Sequence, residues 1–267
     1  MCIRDSLALL AEVQRQLGPR LAADAPRLLG TTLSVTVHAG RALDAAPAED
    51  VPLRSVLRDV RQTGVRRVAE FVRYAPAAWA PYREAVLAHL VRPRLATLAT
   101  DSVQAPSALL ELVRSWSTRA EPLLLFGSDA AVLPSVFACL ANVGIKPAVA
   151  NLVLDIVDGL LAHAGAAAGA PDAPAPAETA AAVRTQILAP NVTPLLHNLL
   201  PLVQHTVDNT FAAPLAPPAR TTLLRRQVDV LAALAPQVRA ERDADATVQL
   251  LIPLIQQRVR VVPERVK

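Results

Sequence analysis

The chain has 267 residues, of which 52% are hydrophobic, 19% charged and only 3% aromatic. This composition excludes an intrinsically disordered chain, which combines low hydrophobicity with a high net charge. It also disfavours a β-sandwich, because strands are enriched in aromatic and β-branched residues. Nine glycines are too few for a glycine-cradled nucleotide site, and a formal net charge of +4 is too small for a simple basic nucleic-acid binder. Alanine, leucine and arginine dominate, and these strong helix formers predict an all-α fold.

The two ends of the chain look incomplete. Residues 1–6, Met-Cys-Ile-Arg-Asp-Ser, are similar to a translated sequencing adapter, so we predict a scar there. The last residues, from Val261 to Lys267, have the pattern of a further helix that is cut short. The sequence therefore predicts an internal fragment of a longer protein.

The first clear helix is predicted over Val51–Tyr74. Apolar residues recur there at spacings of three and four, which predicts one buried stripe. Its members are Leu53, Val56, Leu57, Val60, Val68 and Phe71. On the opposite side lies a row of arginines formed by Arg54, Arg58 and Arg61, with Arg66 and Arg73 beside it.

More helices follow in chain order. Prolines at 81, 106 and 147 mark first turns, where the missing N–H has no helical partner. Further helices are predicted at about 107–116, 129–142, 146–163, 179–206, 219–234, 245–258 and beyond 262, with Pro194 and Pro201 kinking or splitting the one over 179–206. Residues 165–177 are rich in alanine and proline and predict a flexible loop.

The helices form pairs that recur about every 50 residues, starting near 79, 129, 179 and 245. Helical hairpins of about 40–50 residues are the period of HEAT and armadillo arrays, which bury their apolar faces by stacking. The sequence thus predicts a HEAT/armadillo-like α-solenoid, with helical repeats over 7–164 and 178–267. The residues expected to be buried between helices are Leu57, Val60, Phe71, Leu110, Phe137, Leu140, Leu154 and Leu231.

Residues that could carry chemistry do not form a catalytic pattern. Asp155 and Asp158 are an i, i+3 carboxylate pair on a predicted helix, where such pairs are usually solvated charge. His197 and His205 lack an acid or cysteine at metal-ligand spacing. Cys139 lies in an apolar run and predicts a buried thiol. We therefore expect no catalytic residue, cofactor or metal.

The row Arg54, Arg58 and Arg61 is the one candidate site. An ordinary solvated helix face would explain it. A ridge that faces RNA or a protein partner would explain it as well, since the faces of solenoids often carry such rows.

An ordered series of motifs over Val51–Ala162 resembles the down-regulated-in-metastasis family, the giant HEAT-repeat component number twenty of the nucleolar small-subunit processome. The segments that carry the resemblance are Trp79–Tyr82 (WAPY), Val91–Leu95 (VRPRL), Gln104–Leu112 (QAPSALLEL), Ser115–Ser117 (SWS), Val132–Leu140 (VLPSVFACL), Ile145–Val149 (IKPAV) and Leu154–Asp158 (LDIVD).

The resemblance implies a non-catalytic nucleolar scaffold in small-subunit ribosome biogenesis. Its implied partners are other pre-ribosomal proteins and precursor ribosomal RNA, with no membrane and no small-molecule substrate. The alternative is an importin-like or other trafficking α-solenoid that binds peptides. Such a groove would carry regularly repeated tryptophans, and Trp79 and Trp116 do not lie at matching repeat positions.

Overall fold

The computed structural model describes residues 3–17, 20, 22–142, 144–165, 177–235, 245, 248, 249 and 252. The described part of the chain is 83% helical and contains no strand, which confirms the predicted all-α, solenoid-like class of packed helices. The α-helices in chain order are α1 (Ile3–Leu17), α2 (Ala25–Ala45), α3 (Val51–Tyr74), α4 (Pro76–Trp79), α5 (Arg83–Val86), α6 (Leu95–Asp101), α7 (Ala108–Trp116), α8 (Ala120–Leu123), α9 (Val132–Phe137), α10 (Pro147–His163), α11 (Ala177–Ala182), α12 (Ala189–Asp208) and α13 (Pro217–Leu234).

The chain forms two compact units, and each is made of two separate sequence segments. The first unit contains residues 1–95 and 107–116, and the second contains residues 96–106 and 117–267. In the first unit, α3 packs mainly against α2 and α7 and also contacts α1. Its core includes the indole rings of Trp79 and Trp116, whose centroids are 6.3 Å apart.

In the second unit, α12 packs against α9 and the 3-10 turn Ala138–Ala141 that extends it. Helix α13 packs against both α10 and α12. Phe137, Leu140, Leu154 and Leu231 are buried, as predicted. Aliphatic side chains dominate this core, and α10 and α12 supply many of them, which explains how a chain so poor in aromatics can form one.

The predicted apolar stripe of α3 holds only in part. Val60, Val68 and Phe71 are buried, but Leu53 and Val56 are 42% and 59% exposed. The prediction that Leu57 is buried is wrong, because it is only half-buried. Leu53 and Val56 lie in the first two turns of α3, so the N-terminal part of its apolar stripe stays largely uncovered by the helices that pack against it.

Prolines alter the helices without ending them. Two π-helical segments, Leu87–Val91 and Val183–Leu188, each end two residues before a proline, Pro93 and Pro190. Proline has no N–H and crowds the carbonyl four residues earlier, which here belongs to His89 or Gln186 within the π segment. The wider turn of the π-helix moves that carbonyl away and makes room for the proline ring. By contrast, α12 continues as one helix through Pro194 and Pro201. Of the two predicted outcomes there, the split is wrong and the kink stays a prediction.

Other predictions fall on residues outside the described ranges. These are Met1 and Cys2 of the predicted scar, residues 166–176 of the predicted loop, most of the helix at 245–258 and the helix beyond 262. Residues 3–6 form the first turn of α1, and Ala177, the last residue of the predicted loop, begins α11.

Candidate functional site

The candidate arginines lie on α3, whose two ends are set by local sequence. The Asp50 carboxylate caps the first turn by accepting a hydrogen bond from the Leu53 N–H at 3.1 Å. At the other end, the Ala75 N–H donates to the Phe71 carbonyl, and Pro76 follows. The predicted bounds Val51–Tyr74 are therefore confirmed.

The structure gives the three predicted arginines different environments. The Arg54 guanidinium donates from Nη1 to the carbonyl oxygens of Leu43 and Ala46, at 3.2 and 2.8 Å. These carbonyls lie at the C-terminal end of α2, where a cation satisfies otherwise unpaired acceptors. Arg54 is therefore a cap for α2 as well as a member of the row.

Arg58 and Arg61 differ from each other too. Arg58 is exposed and has no ion-pair partner among the described residues. Arg61 is half-buried. Its side chain lies close to Gly40 of α2, since a Cβ placed on Gly40 would be 3.7 Å from the Arg61 Cδ. Of the predicted row, only Arg58 presents its full side chain to solvent.

Two arginines outside the predicted row are also exposed on α3, namely Arg66 and Arg73. Arg66 Nε contacts Glu111 Oε2 of α7 at 2.9 Å, in a pair that is open to solvent on both sides. The half-buried Arg67 instead pairs within the helix with Glu70 at 2.7 Å. Burial raises the pKa of Glu70, and the positive charges of Arg67 and Arg73 oppose that shift.

Tyr74 ends this helix with an exposed aromatic ring. The ring is 62% exposed, and the Arg73 guanidinium carbon lies 5.9 Å from its centroid. Trp79 and Trp116 are buried against each other with their planes tilted by 39°. Tyr74 is thus the one aromatic side chain in the exposed class among the described residues. Sequence reasoning missed it because its place at a helix end gave no sign of exposure.

The carboxylate pair on α10 has a structural partner. Arg226 of α13 contacts Asp155 Oδ1 and Asp158 Oδ2 through Nη2, each at 2.6 Å. Its Nη1 also donates to the Asn151 carbonyl at 3.1 Å. Burial works to lower the pKa of Arg226, but the hydrogen bonds to Asp155 and Asp158 and the negative charges of these two residues together outweigh it and raise the pKa.

The remaining reactive side chains are dispersed. Cys139 is buried, and desolvation raises the pKa of its thiol to about 12. His205 Nδ1 lies 2.8 Å from the Thr210 hydroxyl, while His197 is exposed. Across the described ranges, no three metal-ligating side chains come together.

An apolar cleft of about 700 Å³ lies between α1 and α2. Leu7, Leu10 and Val13 of α1 face Leu28 and Val35 of α2 across it. None of the predicted site residues lines this cleft.

Among the described residues, no single helix has the length and hydropathy needed to cross a bilayer. One bent pair, Ala120–Gly127 with Val132–Ala141, passes by length and composition and turns through 97°.

Two comparisons with known proteins bear on this chain. A family model described as "U3 small nucleolar RNA-associated protein 20, N-terminal" matches residues 5–267. The chain is also 24% identical over 122 residues to U3 small nucleolar RNA-associated protein 20 of Saccharomyces cerevisiae, an alignment that covers 45% of this chain and 5% of the yeast protein. The chain thus spans a small part of the length of that relative. Because the family model covers nearly every residue, the chain belongs to the family of U3 small nucleolar RNA-associated protein 20, in its N-terminal region.

Proposed function

We propose that this chain is a non-catalytic scaffold segment of a small-subunit ribosome assembly factor. The observation that carries the proposal is the family match over residues 5–267. The proposed role is to hold protein and precursor ribosomal RNA elements together during pre-rRNA processing in the nucleolus. Helices that pack side by side suit such a role, because stacked helical repeats offer long surfaces for partners.

The environments of the candidate reactive groups support the non-catalytic part of the proposal. Asp155 and Asp158 both pair with Arg226, which gives these carboxylates a structural role in joining α10 to α13. A thiol with a pKa of about 12, as at Cys139, is protonated and unreactive at neutral pH.

The alternative of a peptide-binding trafficking solenoid receives less support. Its groove would need tryptophan side chains open to a peptide. Trp79 and Trp116 are both buried and pack on each other.

The test is affinity purification of the tagged protein from the cells that carry it, followed by measurement of the co-purified RNA. We expect enrichment of U3 small nucleolar RNA and of precursor small-subunit ribosomal RNA over a spliceosomal small RNA. A fluorescent fusion should concentrate in the nucleolus. Recovery of U3 RNA at the level of the spliceosomal control would contradict the proposal.

A further inference from the structure

The exposed side of α3 is a continuous stripe along the helix. Arg58, Gln62, Arg66 and Arg73 lie on one side of it, since their spacings of four, four and seven residues match whole helical turns. All four are exposed. The three arginines are separated by about 12 and 10.5 Å along the axis. This stripe, here called the outer edge of α3, runs beside the predicted row and shares Arg58 with it.

The outer edge carries positive charge. Helix α3 contains six arginines and two carboxylates, a formal charge of +4. Glu70 forms an ion pair with Arg67. Glu111 of α7 forms an ion pair with Arg66, and both of these side chains are exposed to solvent. Asp59 is exposed beside Arg58 and reduces the charge locally. An excess of arginine remains along the helix, and a polyanion is the complementary ligand.

The outer edge ends at a flat aromatic surface. The Tyr74 ring is exposed in a chain where aromatics are scarce and the tryptophans are buried. The Arg73 guanidinium carbon lies over the ring, 5.9 Å from its centroid, and Tyr74 is still 62% exposed. An exposed ring beside a row of cations is the combination that binds single-stranded nucleic acid, since a base stacks on the ring while phosphates meet the cations. Paired bases inside a duplex cannot stack in this way.

We propose that the outer edge of α3 binds an unpaired segment of RNA, with phosphates at Arg58, Arg66 and Arg73 and one base stacked on Tyr74. This inference rests on the proposed function and names the RNA contact within it. Arg54 has no part in the contact, because its guanidinium is bound to the end of α2.

The test is fluorescence anisotropy of a labelled twelve-nucleotide oligouridylate titrated with the 267-residue chain between 50 and 200 mM salt. Tyr74→Ala should weaken binding by about five-fold or more, as expected for the loss of one base–aromatic stack. Tyr74→Phe keeps the ring and should bind like the parent chain. The triple variant Arg58→Gln, Arg66→Gln, Arg73→Gln should reduce the slope of log K against log salt by about 2, since each single-strand phosphate contact contributes about 0.7.

Arg225→Gln is the matched control, because Arg225 is an exposed arginine on α13. It should leave both affinity and salt slope unchanged, and circular dichroism should show equal melting for all variants. Equal binding of the parent and Tyr74→Ala, or a duplex that binds as tightly as the oligouridylate, would overturn the inference. A second result would also overturn it. If the parent chain stays associated with pre-ribosomal particles after ribonuclease treatment and Tyr74→Ala does not, the surface binds a protein. Failure here with U3 RNA still co-purified would leave the proposed function standing.

Discussion

At position 64 of α3 the absence of a side chain allows α2 and α3 to approach each other. A Cβ at Gly64 would overlap the Thr36 hydroxyl oxygen and lie 3.0 Å from the Thr36 Cβ. Thr36 is fully buried, and its hydroxyl donates to the Thr32 carbonyl at 2.6 Å. The threonine therefore has little freedom to move away.

Gly64→Ala should lower the free energy of unfolding by about 1–3 kcal/mol, because overpacking outweighs the usual gain of alanine in a helix. Gly40→Ala in α2 is the matched control, since its new methyl would meet only the Arg61 Cδ at 3.7 Å. That variant should be neutral or more stable. Urea unfolding measures both, and a stabilising Gly64→Ala would show that the two helices are further apart than described.

His163 introduces a pH dependence at the end of α10. Its side chain is 4% exposed, and no described atom is a hydrogen-bond partner of Nδ1. Burial lowers the pKa of His163, and a hydrogen bond to the Thr118 backbone opposes that shift. The folded protein thus holds this ring neutral at a pH where the unfolded chain protonates it.

Since the unfolded state binds the extra proton, the free energy of unfolding should fall as the pH drops below about 6.5. We expect this fall between pH 7 and 5.5 in urea unfolding of the parent chain. His163→Gln should flatten the profile, whereas His89→Gln, at an exposed histidine, should keep the parent profile. A His163→Gln profile that still follows the parent would assign the dependence to other groups.

At the scale of elements, α10 and α13 are joined by a polar contact that links distant parts of the sequence. One guanidinium, that of Arg226, binds two aspartates and a backbone carbonyl of α10. A lysine has no planar fork and cannot reproduce these bonds together. Without the cation, Asp155 and Asp158 would be left as like charges one turn apart.

Arg226→Gln should therefore lower the free energy of unfolding by about 1–2 kcal/mol, a value reduced because Asp158 is nearly half exposed. Arg226→Lys should recover only part of the loss. Arg225→Gln, at the exposed neighbouring position, should change little. A double-mutant cycle with Asp158→Asn isolates the energy of the Arg226–Asp158 pair, and zero coupling would show that this ion pair does not stabilise the packing of α13 on α10.

At the scale of the whole molecule, the chain returns to its first unit after leaving it. Residues 96–106 belong to the second unit, and α7 then packs on α3 in the first. Trp116 of α7 is buried against Trp79. The core of the first unit is therefore complete only when α7 is packed in place.

A chain ending at residue 106 should therefore lose cooperative thermal unfolding, while one ending at residue 116 should retain more of it. Removing α7 takes away the Trp116 ring that packs on Trp79 and the helix that contacts α3, which exposes buried apolar surface to water. Circular dichroism at 222 nm measures both truncations without depending on Trp116. Equal melting of the two chains would show that α7 is dispensable for the first unit.

The sequence alone determined the helical class, the bounds of α3, the burial of a thiol at Cys139 and the family resemblance that the family model confirms. These properties depend on local propensity, on capping and proline chemistry, and on motifs that lie close together along the chain. Which arginines reach solvent could not be derived in that way. Arg54 looked free because its acceptors, the carbonyls at the end of α2, are created only when two helices meet.

Only the tertiary structure decided the details of the candidate site. It exposed Arg66 and Arg73 together with Arg58 and left Tyr74 open, while it buried Trp79 against Trp116. It also left Leu53 and Val56 in solvent despite their helical periodicity, although the C-terminal end of α2 meets this end of α3 at Arg54. Periodicity specifies that a helix has an apolar side, but which part of that side becomes buried depends on the length and position of the helices that pack against it.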